Sequence, residues 1–79
     1  MRRKRQLAAV IAFDATTQAM AAETYCMEHA LPGRLIPVPR EITAGCGLAW
    51  KTDPAQKDAI PAALTDAGIL WSSVHLLEI

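Results

Sequence analysis

The hydrophobic and polar positions of this chain form short blocks with the patterns of alternating strands and helices. Residues Leu7 to Phe13 are continuously apolar and are bounded by charged segments, which predicts a strand buried on both faces at the centre of a sheet. Small apolar residues then recur at helical spacing, and Asp14, Thr16 and Thr17 are candidate N-caps. A first helix is therefore expected over residues 15–30, before Pro32-Gly33.

Two prolines mark the next strand, which is expected over residues 33–40. Pro37 and Pro39 lack a backbone N–H, and because they are two positions apart, both missing donors fall on the same side of a strand. Such a strand fits only at the edge of a sheet. A third strand is expected at Leu48 to Thr52, where the residues alternate in character.

The second half of the chain begins with a helix-start signal. Asp53 is a candidate N-cap, Pro54 occupies the first helical position, and Gln56 suits a capping box, so a helix is expected from Asp53 to Gly68. Pro61 should kink or interrupt this helix. Residues 71–79 are expected to form the last strand.

These elements follow the order βαββαβ, which predicts an α+β, ferredoxin-like fold in a single domain spanning residues 1–79. We expect a four-stranded antiparallel sheet of order 4-1-3-2 with two helices on one face. This order independently places the proline-marked strand at an edge. It also brings the turn that contains Cys46 to the same end of the sheet as the start of the first helix. Residues 1–5 are expected to be a frayed basic terminus.

Composition excludes several classes of function. Eight basic and eight acidic residues give a formal net charge of zero, so no overall field attracts nucleic acid or an anionic membrane. The inner strands also lack the aromatic pair of an RNA-recognition module. No segment approaches the ~18 apolar residues of a membrane span. Two cysteines without a Cys/His ligand spacing favour a reducing, cytoplasmic setting and no metal site.

Cys46 is the candidate functional residue because it stands between Gly45 and Gly47, which keep side-chain bulk away from its sulfur. Arg40 is expected to support a thiolate or a bound anion, and so is the helix start at Thr16 and Thr17. The alternative interpretation is a small, packed hydrophobic side chain.

Other candidate side chains fit structural roles. Cys26 falls on the apolar stripe of the first helix, where core packing is the expected role; a redox pair with Cys46 is the alternative. His29 and His75 have no second ligand nearby in sequence, so neither is assigned a catalytic role.

The segment Pro37-Val-Pro-Arg40, followed by Cys46-Gly47, resembles a family of small prokaryotic selenium/sulfur carrier-like proteins, formerly a domain of unknown function. Thr16-Thr17 and Ala22-Glu23 also occur in the family's order, and the resemblance covers nearly the whole chain. Val38 departs from the threonine that many relatives have there. The resemblance implies a cytoplasmic carrier whose Cys46 receives sulfur or selenium from a cysteine desulfurase or selenocysteine lyase and passes it to an acceptor protein.

Three functional hypotheses follow for this chain. The first is a carrier, rather than a stand-alone enzyme, that holds the chalcogen on Cys46 as a persulfide or selenosulfide and needs no cofactor. The second is an interaction module whose sheet forms a homodimer or docks on a larger enzyme, with Cys46 incidental. The third is a redox sensor in which mild oxidants modify Cys46.

Overall fold

The structure, a computed structural model, describes residues 6–42 and 45–79. Its elements are β1 (Leu7–Ala12), α1 (Thr16–Glu28), β2 (Arg34–Pro37), β3 (Leu48–Thr52), a 3-10 turn (Pro54–Gln56), α2 (Ala59–Asp66) and β4 (Ser73–Glu78). The strands form an antiparallel sheet in the order β2-β3-β1-β4. This confirms the expected α+β, ferredoxin-like fold with order 4-1-3-2. The expected frayed terminus, residues 1–5, lies outside the described residues.

Strand β1 is the centre of the sheet, as its apolar run predicts. Ile11 pairs with Trp50 of β3 on one side and with Val74 of β4 on the other. The sheet face under the helices carries the main core, whose buried members are Ile11, Phe13, Ala19, Ala22, Cys26, Trp50, Ile60 and Leu64. A smaller cluster of Val10, Ala12, Ile42 and Ala49 lies on the opposite face. Both faces of β1 are therefore buried.

Strand β2 lies at the edge, which confirms the interpretation of the prolines, but it ends at Pro37 rather than Arg40. The backbone N–H of Val38 still donates to the carbonyl of Gly47, at 2.9 Å. Pro39 then begins a turn that is closed by a bond of 2.9 Å from the Ile42 N–H to the Pro39 carbonyl. The strand stops because the chain turns toward the sheet face where Ile42 is buried.

Two shorter elements replace the helix expected from Asp53 to Gly68, and the expectation that Pro61 would be the point of interruption was wrong. Asp53 does act as a cap, accepting the Ala55 N–H at 2.9 Å, but only the 3-10 turn follows. Helix α2 begins afresh at Ala59, so Pro61 falls in its first turn. The N–H groups of a first turn have no helical acceptor, and a proline there removes no helical bond. Pro61 therefore fits the start of α2, and the break precedes it.

Candidate functional site

Cys46 lies where the end of β1, the loop before β3 and the start of α1 meet. Its side chain is partly buried, and its thiol donates a hydrogen bond to the Phe13 carbonyl, with 3.1 Å between the sulfur and the oxygen. The Leu48 N–H donates to the same sulfur at 3.4 Å. The Leu48 carbonyl is a more distant acceptor, at 3.7 Å. The sulfur is thus held as both donor and acceptor at the carboxyl end of the central strand.

The glycines beside Cys46 each have a structural reason. A Cβ on Gly45 would lie 3.0 Å from the Asp14 carbonyl oxygen and 3.5 Å from the Asp14 Cα, so any other residue would force the loop or this backbone to shift by a few tenths of an ångström. Gly47 has a φ of +78°, which other residues rarely adopt, and no atom of the described residues lies within 4 Å of its Cβ position. Access to the thiol is therefore one consequence of glycines that the loop needs for packing and for its turn.

Ile42 anchors the other side of this loop, a role that the sequence analysis missed. It is buried on the sheet face opposite the helices, in the cluster with Val10, Ala12 and Ala49. The segment before Cys46 is therefore fixed at Ile42, and the loop is fixed again where Gly45 meets Asp14. The available signal was the large apolar side chain of Ile42 between Glu41 and Thr43.

Helix α1 begins beside the loop, as the topology predicted, but its cap differs from the expectation. Its N-cap is Ala15, in an extended conformation, and no side chain of the described residues caps the helix. The assignment of Asp14, Thr16 or Thr17 as the N-cap was wrong. The Asp14 backbone instead contacts Gly45, while Thr16 and Thr17 are exposed at the first two helical positions. The helix start thus reaches the Cys46 loop through the backbone of Asp14.

Arg40 is exposed in the turn that follows β2. Among the residues that the structure describes, no hydrogen bond or ion pair joins Arg40 to Cys46. Within the described part of the chain, the polar partners of the sulfur are backbone groups of Phe13 and Leu48.

A hollow of about 290 Å³ lies at this same end of the sheet, lined by Asp14, Ala15, Gln18, Leu70 and Trp71. The Leu70 N–H donates to Gln18 Oε1 at 2.7 Å, which ties the segment before β4 to the first turns of α1. Trp71 Nε1 donates to the Pro61 carbonyl at 3.1 Å and to Thr65 Oγ1 at 3.0 Å. The hollow therefore has a fixed wall, and through Asp14 it adjoins the loop of Cys46.

A second hollow, of about 440 Å³, lies at the far end of the sheet, where β1 begins. Its lining includes Arg34 and Lys51, which face each other across β2 and β3, and the nearby Asp53. Because Cys46 lies at the other end of β1, this larger hollow is not part of its surroundings.

Cys26 contrasts with Cys46. It is fully buried on the sheet-facing side of α1, which confirms the expected packing role, and burial raises the pKa of its thiol. Both cysteines are free thiols. Within residues 6–42 and 45–79, no cluster of three His, Cys, Asp or Glu side chains could hold a metal ion, and no helix is long and apolar enough to cross a membrane.

Comparison with known proteins defines the class. Residues 8–76 match a family model described as "Putative Se/S carrier protein-like". The chain therefore belongs to this family, as its motifs suggested. The same comparisons find no matching curated protein and no matching solved structure.

Proposed function

We propose that this protein is a sulfur or selenium carrier that holds the chalcogen on Cys46. Its membership of the Se/S carrier-like family supports sulfur or selenium as the cargo. The observation that carries the choice of residue is the contrast between the two thiols: Cys46 is partly exposed at the end of the sheet, and Cys26 is fully buried in the core.

The transfer is a thiol exchange that needs no added oxidant or reductant. The Cys46 sulfur attacks the terminal sulfur of a donor persulfide, the donor's S–S bond breaks, and the proton of Cys46 passes to the leaving donor sulfur. The products are Cys46–S–SH and the donor thiol, so atoms and electrons balance. A donor carrying a terminal selenium gives the selenosulfide in the same way. A cysteine desulfurase or a selenocysteine lyase supplies such a donor, and an acceptor protein takes the cargo.

The contacts of Cys46 define what each step changes. In the resting thiol the proton lies on the hydrogen bond to the Phe13 carbonyl, so that bond must break before the sulfur attacks. The Leu48 N–H can keep donating to a sulfur that has lost its proton. In the proposed carrier, Thr16 and Thr17 form the positive N-terminal end of α1, and Arg40 is an exposed cation near the loop. Two free thiols suit a reducing compartment, and the proposal places the protein in the cytoplasm.

Intact-mass measurement tests the proposal directly. The protein is incubated with a cysteine desulfurase and cysteine, and one added sulfur atom is expected that dithiothreitol removes. Cys26→Ser should still gain the sulfur, and Cys46→Ser should not. A gain that persists in Cys46→Ser but vanishes in Cys26→Ser would contradict the assignment.

The contacts of Cys46 also favour a second candidate, in which the residue only fastens its loop to β1 and the protein is an interaction module. Alkylation with iodoacetamide separates the two. The carrier requires the native protein to be alkylated at Cys46 much faster than at Cys26. If the native protein is alkylated equally slowly at both positions, the structural role is the better account.

A further inference from the structure

The two edges of the sheet are protected very differently. Strand β2 is four residues long and ends at Pro37, and Pro39 follows closely, so its free edge is short and lacks the N–H donors of these two positions. Strand β4 forms the opposite edge, is six residues long and contains no proline, lysine or arginine. In the described part of the chain only β1 pairs with it. One side of β4 thus presents unpaired backbone donors and acceptors.

The side chains of β4 are mostly uncharged and offer little to discourage pairing. Leu76 is 45% exposed, and Val74 and Leu77 are partly exposed. His75 Nε2 and Ser73 Oγ are hydrogen-bonded at 2.8 Å within the strand. Glu78 is the one carboxylate of β4. Soluble proteins normally block such an edge with charge, proline or a covering segment. An edge of this length and character fits a partner strand.

We propose that a second copy of this chain occupies this edge, with the two β4 strands antiparallel about a twofold axis perpendicular to the sheet. Residues that lie opposite each other in an antiparallel pair point to the same face of the sheet. In a symmetric pair of β4 strands, an odd-numbered residue must therefore lie opposite an odd-numbered residue, and an even-numbered residue opposite an even-numbered one. Placing Leu76 opposite the partner copy's Leu76 pairs every residue from Ser73 to Ile79. The neighbouring register would place His75 opposite its own copy and would leave Ile79 unpaired.

This arrangement closes on itself and leaves Cys46 free. The combined sheet has eight strands, and its two outer edges are both β2, which Pro37 ends. Growth therefore stops at the dimer. Because the two β1 strands run in opposite directions, the two Cys46 residues lie at opposite ends of the sheet. The partner copy therefore covers neither sulfur, and no disulfide between the two Cys46 residues can form within the dimer.

Sedimentation velocity of the full chain in reducing buffer, over a wide range of concentration, tests the dimer. The wild-type mass should rise from one copy to two. Leu76→Lys places two cations opposite each other on the axis and should weaken dimerisation at least about tenfold. Leu70→Lys is the matched control, because Leu70 is 72% exposed but lies outside β4. It should dimerise like the wild type, and circular dichroism should show that both variants are folded.

Mixing complementary variants tests the register. Leu76→Lys and Leu76→Glu should each be largely monomeric alone, and an equal mixture should restore the dimer, because the two charges then face each other. A wild type that remains monomeric at every concentration overturns the proposal. So does a mixture that stays monomeric, or a Leu70→Lys variant as weakened as Leu76→Lys. Sulfur loading of Cys46 in the Leu76→Lys variant is a separate measurement, so the dimer and the carrier function can fail independently.

Discussion

The sulfur of Cys46 lies 3.1 Å from the carbonyl oxygen of Phe13, a residue 33 positions earlier in the chain. This contact joins the loop between β2 and β3 to the end of the central strand. In the proposed transfer the sulfur must leave the Phe13 carbonyl, so the reactivity of the thiol should depend on the placement of the loop. Substitutions that shift the loop should therefore change the reactivity of Cys46 even where they do not touch the sulfur.

Gly45→Ala should shift the loop. The added Cβ would meet the Asp14 carbonyl oxygen at 3.0 Å, and both contacting groups are backbone, so neither can swing aside. We expect a loss of about 1 kcal/mol in the free energy of unfolding in urea and a changed rate of Cys46 alkylation. Gly47→Asn is the control, because asparagine tolerates a positive φ and the space there is open. Equal alkylation rates in Gly45→Ala and wild type would contradict the role given to Gly45.

Ile42→Ala should release the loop on its other side. Removing this buried side chain should cost about 2 kcal/mol or more of unfolding free energy, because it leaves a cavity against Val10, Ala12 and Ala49. The Cys46 alkylation rate should also change, since the anchor of the loop is lost. Ile36→Ala is the comparison: Ile36 packs on the same cluster but belongs to β2. If both variants alter Cys46 reactivity equally, Ile42 has no special role in placing the loop.

The features that could be predicted from sequence are those that depend on local patterns of residues. The apolar run of β1 predicted a central strand, the prolines predicted an edge strand, and Leu48–Thr52 predicted β3, because each depends on alternation or on a missing N–H. The fold followed from their order. The environment of Cys46 could not be predicted in this way, because the partners of its sulfur are backbone groups of Phe13 and Leu48, and such groups do not depend on the residue type. Likewise, the reason for Gly45 is a long-range contact with Asp14.

Cys26 should make stability depend on pH in alkaline solution. Burial raises the pKa of its thiol above the ordinary value of 9.0, so the unfolded chain loses this proton at a lower pH than the folded protein does. Stability is therefore unaffected by Cys26 below about pH 9 and falls as the pH rises from there toward the folded pKa, by up to about 1.4 kcal/mol per unit. Urea unfolding at a series of pH values measures the slope.

Substitution separates this effect from other groups that titrate in the same range. Cys26→Ala should be less stable at neutral pH, because it leaves a small cavity, but its stability should fall less steeply above pH 9. Equal slopes in Cys26→Ala and wild type would show that the Cys26 thiol is not the source of the dependence.

Gly33→Ala should be the most damaging glycine substitution, because it combines backbone strain with overlap. Gly33 has a φ of +121°, and its Cβ would overlap the Lys51 carbonyl oxygen and the Trp50 indole. Trp50 Nε1 and Thr52 Oγ1 both donate to the Pro32 carbonyl, at 3.1 Å and 2.8 Å, so this overlap also disturbs two hydrogen bonds that hold β3 to the start of β2. We expect a loss above about 3 kcal/mol, with a shift in tryptophan fluorescence of the folded protein.

Gly68→Ala provides the matched control for this substitution. Gly68 also has a positive φ, of +78°, but within residues 6–42 and 45–79 nothing lies within 4 Å of its Cβ position. It should therefore cost only the strain of the left-handed conformation, about 1 kcal/mol. Both substitutions change the unfolded chain in the same way, so the difference between their unfolding free energies measures the contact with Trp50 and Lys51 together with the additional strain at the φ of Gly33. Equal losses would mean that the backbone relieves the overlap at no cost, and the close packing of Gly33 against Trp50 would then not explain why glycine occupies this position.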